Sequence, residues 1–141
     1  MTHHSKNAQF FKRDRKVKLA LTIAGSDCSG GAGLEADLKT FAAHRVYGMA
    51  AATCIVAETP CRVVSIHPVP TKIIRRQIAC CLKNMPPVAV KTGMLFSASI
   101  INACRIEISN FKSLPAARQA GQISNFIVDP VMVATSGRRL L

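Results

Sequence analysis

The sequence predicts an α/β fold with a mainly parallel sheet. Short apolar segments rich in β-branched residues alternate with segments whose apolar residues recur at helical spacing, and this alternation is typical of βαβ units. Such units place parallel strands next to each other through right-handed crossovers. With 141 residues, 49% of them hydrophobic, the chain is long and apolar enough to form one domain with its own core.

The first unit begins at residue 17. Residues 17–24 (VKLALTIA) predict a buried strand, and the glycine-rich stretch 25–33 predicts a loop. Apolar residues over 34–41 then recur at helical spacing, and Gly48 is predicted to end that helical region. This strand, loop and helix form the first half of a βαβ unit.

The same pattern recurs to the end of the chain. Further strands are predicted at 49–57, 88–90 and 126–128, helices at 71–84 and 97–109, a loop at 58–61 and a polar connection at 112–125. Four parallel strands are therefore expected, each followed by a loop or helix.

Polar residues gather just past the predicted strand ends. In an open α/β sheet, ligands bind beyond the carboxyl ends of the strands. The segments at that edge are 25–33, 58–61, 91–96 and 129–137, and their charged residues include Asp27, Glu58, Lys91 and Asp129. The sequence therefore predicts a binding site along this edge.

Taken one at a time, these residues leave two interpretations open. The loop 25–33 is neither a GxGxxG nor a Walker motif, so it is either a structural turn or a ligand loop. Asp37 is a solvated helix residue or a pocket residue, and Glu58 is a polar loop residue or an acceptor for a ring amine. Met94 packs in the core or forms an apolar wall for a flat ligand.

The formal charge of +12 suits an anionic partner, either phosphate or nucleic acid. Residues 1–16 are predicted to be a flexible basic extension of a domain at 17–141. One Tyr and no Trp supply few aromatic platforms for bases, so a nucleic-acid partner is not expected. A non-catalytic basic binding protein, whose extension contacts nucleic acid, stays open as an alternative.

The six cysteines match no zinc template, and Cys80 and Cys81 are adjacent. The sequence shows no apolar signal-peptide region and no apolar run long enough to span a membrane. We therefore expect a cytoplasmic protein without a membrane partner, and reduced thiols buried as small hydrophobic groups.

Four ordered motifs resemble the hydroxymethylpyrimidine/phosphomethylpyrimidine kinases of thiamine biosynthesis. The motifs are AGSDCSGGAG at 24–33 with ADLKTF at 36–41, HPVP at 67–70, VKTGML at 90–95 and VDPVMVATSG at 128–137. The resemblance runs from about residue 17 to the last residue. It implies a ribokinase-like three-layer α/β/α sandwich, a kinase that phosphorylates a hydroxymethyl group with ATP and Mg²⁺.

The resemblance also implies roles for individual residues. Its substrate-binding positions are Gly25, Asp37, Glu58, Met94 and Val131, with Asp27 and Asp129 on the supporting rim. Gly25 and Asp37 would line the pyrimidine pocket, and Met94 and Val131 would enclose the ring. Glu58 stands where the family usually has Gln. A carboxylate accepts a hydrogen bond from an exocyclic amine but donates to a ring nitrogen only when protonated.

Members of this family are about twice as long, so the chain resembles a truncated, N-terminal half of a kinase. We expect a fragment, a truncated reading frame or one piece of a split protein. Catalytic residues and the ATP and Mg²⁺ sites are expected in the other half, which predicts no turnover by this chain alone. The implied partners are a hydroxymethylpyrimidine-type molecule and either a second copy or a complementing C-terminal fragment.

The nearest enzymatic alternative is a pyridoxine/pyridoxal kinase, which shares the fold and the early glycine loop. The ATSG sequence at 134–137 favours the pyrimidine enzyme. Competitive binding of the two ring types would separate these alternatives.

Overall fold

The computed structural model describes residues 17–113, 123–133, 137 and 139. Its elements in chain order are β1 (Lys18–Asp27), α1 (Gly33–Ala43), β2 (Val46–Thr59), β3 (Arg62–Pro68), α2 (Thr71–Asn84), β4 (Ala89–Thr92), α3 (Ala98–Ser113) and β5 (Asn125–Val128). They form a five-stranded sheet in the order β3-β2-β1-β4-β5. The predicted extension at 1–16 lies outside the described residues, so the domain division stays a prediction.

The sheet is parallel except for β3, which pairs antiparallel with β2. Its side chains alternate between two helical layers. Leu21 and Ile23 of β1 belong to the main core, which α2 and α3 cover. Thr22, between them, points to the other face and meets Asp37 of α1. The predicted α/β/α sandwich with a mainly parallel sheet is confirmed.

Helix α1 ends earlier than the sequence predicted. Arg45 adopts the left-handed conformation (φ 57°) just after the helix and reverses the chain toward β2. Gly48 lies inside β2, so its assignment as the helix end was wrong. A Cβ at Gly48 would come within 2.7 Å of Leu38 and 2.9 Å of Phe41, so the glycine allows α1 to pack close to the sheet.

The strands run further toward the predicted site than their apolar segments indicated. β1 continues to Asp27 and β2 to Thr59, so Gly25, Asp27 and Glu58 lie in strands and not in loops. Register shifts interrupt the ladder near Gly25 and next to Glu58. Backbone pairing, which requires no apolar side chain, accounts for the extra length.

Strand β3 was missed by the sequence analysis. It follows β2 through the two residues Pro60 and Cys61 and forms an antiparallel hairpin with it. Val63 of β3 is buried with Cys54 and Val56 in a second small apolar cluster. The sheet formed by the described residues therefore has five strands, with an antiparallel edge strand beside the site.

All six cysteines are free thiols, as predicted. Only half of them are buried: Cys54, Cys81 and Cys104 lie in the apolar clusters. Burial raises the pKa of these three thiols, to about 11 for Cys104. Cys28, Cys61 and Cys80 are exposed, so the expectation that all the thiols are buried was wrong.

Over the described ranges, no helix has the length and apolar character that crossing a membrane would need.

Candidate substrate pocket

A cavity of about 540 Å³ opens at the carboxyl ends of β1, β2 and β4. All seven residues singled out from the sequence line it: Gly25, Asp27, Asp37, Glu58, Met94, Asp129 and Val131. The volume lies within the range of small-molecule sites. The structure therefore brings the predicted residues together, while their roles in binding stay predictions.

The Asp27 carboxylate is fixed at the base of the glycine loop by four donors. Its Oδ1 accepts from the Ser29 N–H at 2.7 Å. Its Oδ2 accepts from the Ser29 hydroxyl at 2.9 Å and from the N–H groups of Gly31 and Ala32 at 3.1 and 2.8 Å. Burial works to raise the pKa of Asp27, but these hydrogen bonds outweigh it and hold the pKa below its ordinary value.

Glu58 lies beside Asp27 at the end of β2. The Cys28 thiol is 3.2 Å from the Glu58 carbonyl oxygen and accepts from the Glu58 N–H at 3.3 Å, which holds the backbone there. Burial raises the pKa of Glu58, and the neighbouring Asp27 charge and a hydrogen bond with Asp27 raise it further. The two carboxyl groups therefore differ: Asp27 stays ionised and Glu58 protonates more readily than usual.

Glu35 anchors the start of α1 to the end of β1. Its carboxylate accepts from the Ser26 hydroxyl at 2.6 Å and from the Asp27 N–H at 2.8 Å. A carboxylate in the first turn of a helix also faces the positive end of the helix dipole. Gly33 follows the loop with φ 58°, and a Cβ there would overlap the carbonyl oxygen of Gly25. The loop conformation is thus fixed from both ends.

Lys91 joins α1 to the strand ends. Its ammonium donates to both carboxylate oxygens of Asp37, at 2.8 and 3.0 Å, and lies 3.6 Å from Asp129. The Thr22 hydroxyl also donates to Asp37, at 2.6 Å. Asp37 is therefore neither an unpaired helix residue nor a free acceptor, since three hydrogen bonds already hold its carboxylate. Asp37 also lines the cavity.

The apolar side of the cavity is formed around Met94. The Thr53 hydroxyl donates to the Met94 carbonyl oxygen at 2.7 Å and fixes the backbone. A Cβ at Gly25 would come within 2.8 Å of the Met94 methyl and 2.9 Å of the Cys54 sulfur, so only glycine leaves room there. Val131, on the segment after β5, also lines the cavity. A flat ring fits the chemistry of this wall.

The described residues of the lining have a formal charge opposite to that of the whole chain. They include four carboxyl groups, from Asp27, Asp37, Glu58 and Asp129, and two cations, from Arg62 and Lys91. The cavity therefore favours ligands that carry hydrogen-bond donors or positive charge. In the part of the chain that the structure describes, no cluster of three or more His, Cys, Asp or Glu residues could hold a metal ion.

The sequence predicted no binding role for two charged residues that line the cavity. Arg62 belongs to β3, which was itself missed. Lys91 had been placed at the correct edge, but its contact with Asp37 spans 54 positions and no local pattern indicates it. The lysine directly after an apolar strand segment was the available signal.

The parallel sheet, the two helical layers and a cavity at the strand ends are those of a ribokinase-like α/β protein, and solved kinases of that class share the fold. The phosphomethylpyrimidine kinase family matches residues 27–141, and the chain belongs to that family.

The comparisons also show how far the similarity reaches. The chain is 41% identical over 122 residues to a hydroxymethylpyrimidine/phosphomethylpyrimidine kinase of Bacillus subtilis, covering 86% of this chain and 41% of that protein. A phosphomethylpyrimidine kinase structure from Clostridium difficile superposes with a TM-score of 0.76 at 40% identity, covering 88% and 49% of the two chains. An ADP complex of a Bacillus subtilis pyridoxal kinase gives 0.72 at 40%, covering 89% and 44%. The chain thus spans less than half the length of each.

Proposed function

We propose that this chain forms the substrate-binding half of an ATP-dependent kinase that phosphorylates hydroxymethylpyrimidine and its monophosphate, in thiamine biosynthesis. One observation carries the proposal. In a member of the phosphomethylpyrimidine kinase family, a single cavity at the strand ends combines an apolar wall with carboxyl acceptors. A flat ring bearing an amino group matches both features.

The described residues divide the binding task between them. Met94 and Val131 would contact the faces of the ring, and Gly25 gives it room to approach the end of β1. Glu58 and Asp37 would accept hydrogen bonds from ring substituents. The rigid loop held by Asp27 keeps these groups in place before the ligand arrives, which reduces the ordering cost of binding.

ATP supplies the phosphoryl group in such a reaction, and Mg²⁺ would neutralise its charge. The described residues do not offer a metal cluster, so we assign none of them to Mg²⁺ or to the nucleotide and derive no transfer step. The catalytic residues and a cytoplasmic location stay predictions for the whole protein.

A pyridoxal kinase is the second candidate, because a pyridoxal kinase structure aligns with 89% of the chain at 40% identity. Next to the carbon that bears the hydroxymethyl group, pyridoxal carries an aldehyde where the aminopyrimidine carries an amine. The acceptor-rich lining favours the amine, since carboxylates accept hydrogen bonds and repel other acceptors.

Competitive titration of hydroxymethylpyrimidine and pyridoxal against the chain tests this proposal. We expect the pyrimidine to bind more tightly. Met94→Ala should weaken its binding about tenfold, because the ring loses part of an apolar contact. Met132→Ala is the matched control, since Met132 is 52% exposed and does not line the cavity. Tighter binding of pyridoxal, or equal effects of the two substitutions, would contradict the assignment.

A further inference from the structure

We propose that the Asp27–Glu58 carboxyl pair makes this pocket select a basic nitrogen heterocycle, which binds together with one proton shared between Glu58 and a ring nitrogen. The inference rests on the proposed function and goes beyond it. It assigns the pair as a specificity device and predicts that ring binding is linked to a proton.

The first step is that protonation of the Asp27 carboxylate is unfavourable. Both of its oxygens accept hydrogen bonds, three of them from the backbone N–H groups of Ser29, Gly31 and Ala32. These donors are fixed by the loop and stabilise the ionised form. Asp27 is also only 4% exposed, so water screens its charge weakly.

The second step is that Glu58 lies beside this fixed anion. Both side chains line the same cavity, and burial together with the charge of Asp27 raises the pKa of Glu58. The two contacts of Cys28 with the Glu58 peptide hold the start of the side chain at that place. Two neighbouring carboxyl groups repel each other when both are ionised, and the donors around Asp27 stabilise its ionised form, so a proton taken up by the pair resides on Glu58.

The third step is that the nearby cations do not neutralise the pair. Lys91 is held by Asp37 and Asp129. Arg62 is exposed on β3, and among the described ion pairs none joins it to Glu58. The charged and titratable groups around the pair are Asp27, Cys28, Glu35, Asp37, Cys54, Arg62, Lys91 and Asp129.

A basic aminoheterocycle matches this arrangement. With the proton on Glu58, the acid donates to the ring nitrogen and its carbonyl oxygen accepts from the amine. With the proton on the ring, the carboxylate accepts two charge-assisted hydrogen bonds. Both forms contain one proton. Where Glu58 and the free ring are both deprotonated, binding must therefore take one proton from solvent.

Titration calorimetry with hydroxymethylpyrimidine between about pH 6 and pH 9 tests the inference, with buffers of different ionisation enthalpy to count protons. For the unaltered chain we expect the affinity to fall about tenfold per pH unit once the pH is above the pKa of both Glu58 and the free ring. That slope corresponds to the uptake of one proton on binding. Glu58→Gln should bind at least as tightly near neutral pH and vary less than about twofold above the pKa of the free ring, because an amide donates and accepts without titrating.

A second ligand keeps the test independent of the variant. 5-Hydroxymethyluracil carries the same hydroxymethyl group on a non-basic ring, and it should bind at least about tenfold more weakly with no proton uptake. Binding of hydroxymethylpyrimidine without a pH slope, or with the same slope in Glu58→Gln, would overturn this inference alone. Equal affinity for both rings would overturn it as well. Failure of hydroxymethylpyrimidine to bind either form would overturn the proposed function itself.

Discussion

At the residue scale, Asp27 is the side chain on which the loop depends most. Asn in its place keeps one acceptor oxygen but turns an N–H₂ group toward backbone donors. We expect Asp27→Asn to lower the free energy of unfolding by about 2–3 kcal/mol at neutral pH. Asp129→Asn should cost less than about 1 kcal/mol, since the Asp129 side chain is 50% exposed and 3.6 Å from Lys91.

The pKa of Asp27 also sets the sign of a pH effect. Its folded-state pKa is lowered, so its contribution is present above the ordinary carboxyl pKa and is lost as the pH falls through the folded-state value. We therefore expect the unaltered chain and Asp27→Asn to differ less in free energy of unfolding below about pH 4 than at neutral pH, as measured by urea unfolding. A difference that stays constant or grows would contradict this assignment.

Two glycines of the same loop are expected to respond differently to alanine. Gly33 has φ 58° and no room for a Cβ beside the Gly25 carbonyl oxygen, so Gly33→Ala should cost more than about 2 kcal/mol. A Cβ at Gly31 would meet its nearest atoms at 3.6 and 3.8 Å, so Gly31→Ala should change stability by less than about 1 kcal/mol. Thermal melting of both variants would decide it, and equal losses would show that the loop is not held as described.

At the scale of elements, Gln77 of α2 completes the hydrogen bonding of β2. Beyond the Cys54–Pro68 pair, β3 no longer runs beside β2. There the Ala52 N–H donates to the Gln77 side-chain oxygen at 3.1 Å, and the Gln77 amide donates to the Ala52 carbonyl at 3.2 Å. The side chain thus takes the place of a neighbouring strand and fixes α2 on the sheet.

Removing that amide should leave a backbone donor and acceptor without partners. We expect Gln77→Leu to cost about 1–3 kcal/mol in urea unfolding. Arg76→Leu, at the adjacent exposed position, should stay within about 0.5 kcal/mol. A Gln77→Leu variant as stable as Arg76→Leu would show that water replaces the amide without loss.

The sequence predicted some of the helices and strands correctly and missed others. Helix α2 was predicted at its observed bounds, because Ile74, Ile78 and Leu82 recur at a spacing of four. Strand β3 was missed because its hairpin turn is Pro60-Cys61, without the Gly or Asn that usually indicates such a turn. Strand ends were set by backbone pairing, which leaves no apolar pattern.

The candidate site was likewise predictable from the sequence only in part. Its position followed from topology, because parallel strands bring their carboxyl ends to one edge. Its internal contacts did not follow, since Lys91 and Asp37 are brought together by the packing of α1 on the sheet. The placement of Asp27 and Glu58 in one cavity likewise depends on how far β1 and β2 extend, which the apolar segments did not show.

At the scale of the whole molecule, β5 forms one edge of the described sheet and pairs there with β4. Its residues Ile127 and Val128 are 48% and 61% exposed, and Val133 just beyond it is 55% exposed. An apolar edge strand is a template for pairing with another chain. We expect the 141-residue chain studied alone to self-associate through this edge.

Light scattering during size-exclusion chromatography would measure this association. Ile127→Lys should shift the chain toward monomer, because a charge on an exposed edge opposes strand pairing. Arg76→Leu, at an exposed position of α2 and outside β5, serves as a control that should not do so. A clean monomer of the unaltered chain with a sharp cooperative melt would contradict the prediction.

Hydroxymethylpyrimidine is predicted to bind in the cavity against Met94. Methyl NMR of ¹³C-methionine-labelled chain measures this most directly, with Met94→Leu to assign the resonance. We predict that hydroxymethylpyrimidine shifts the Met94 methyl resonance in a saturable way, while Met49, buried in the main core at 5% exposure, does not respond. An unchanged Met94 resonance at saturating ligand, or a response to pyridoxal at lower concentration than to the pyrimidine, would contradict the claim.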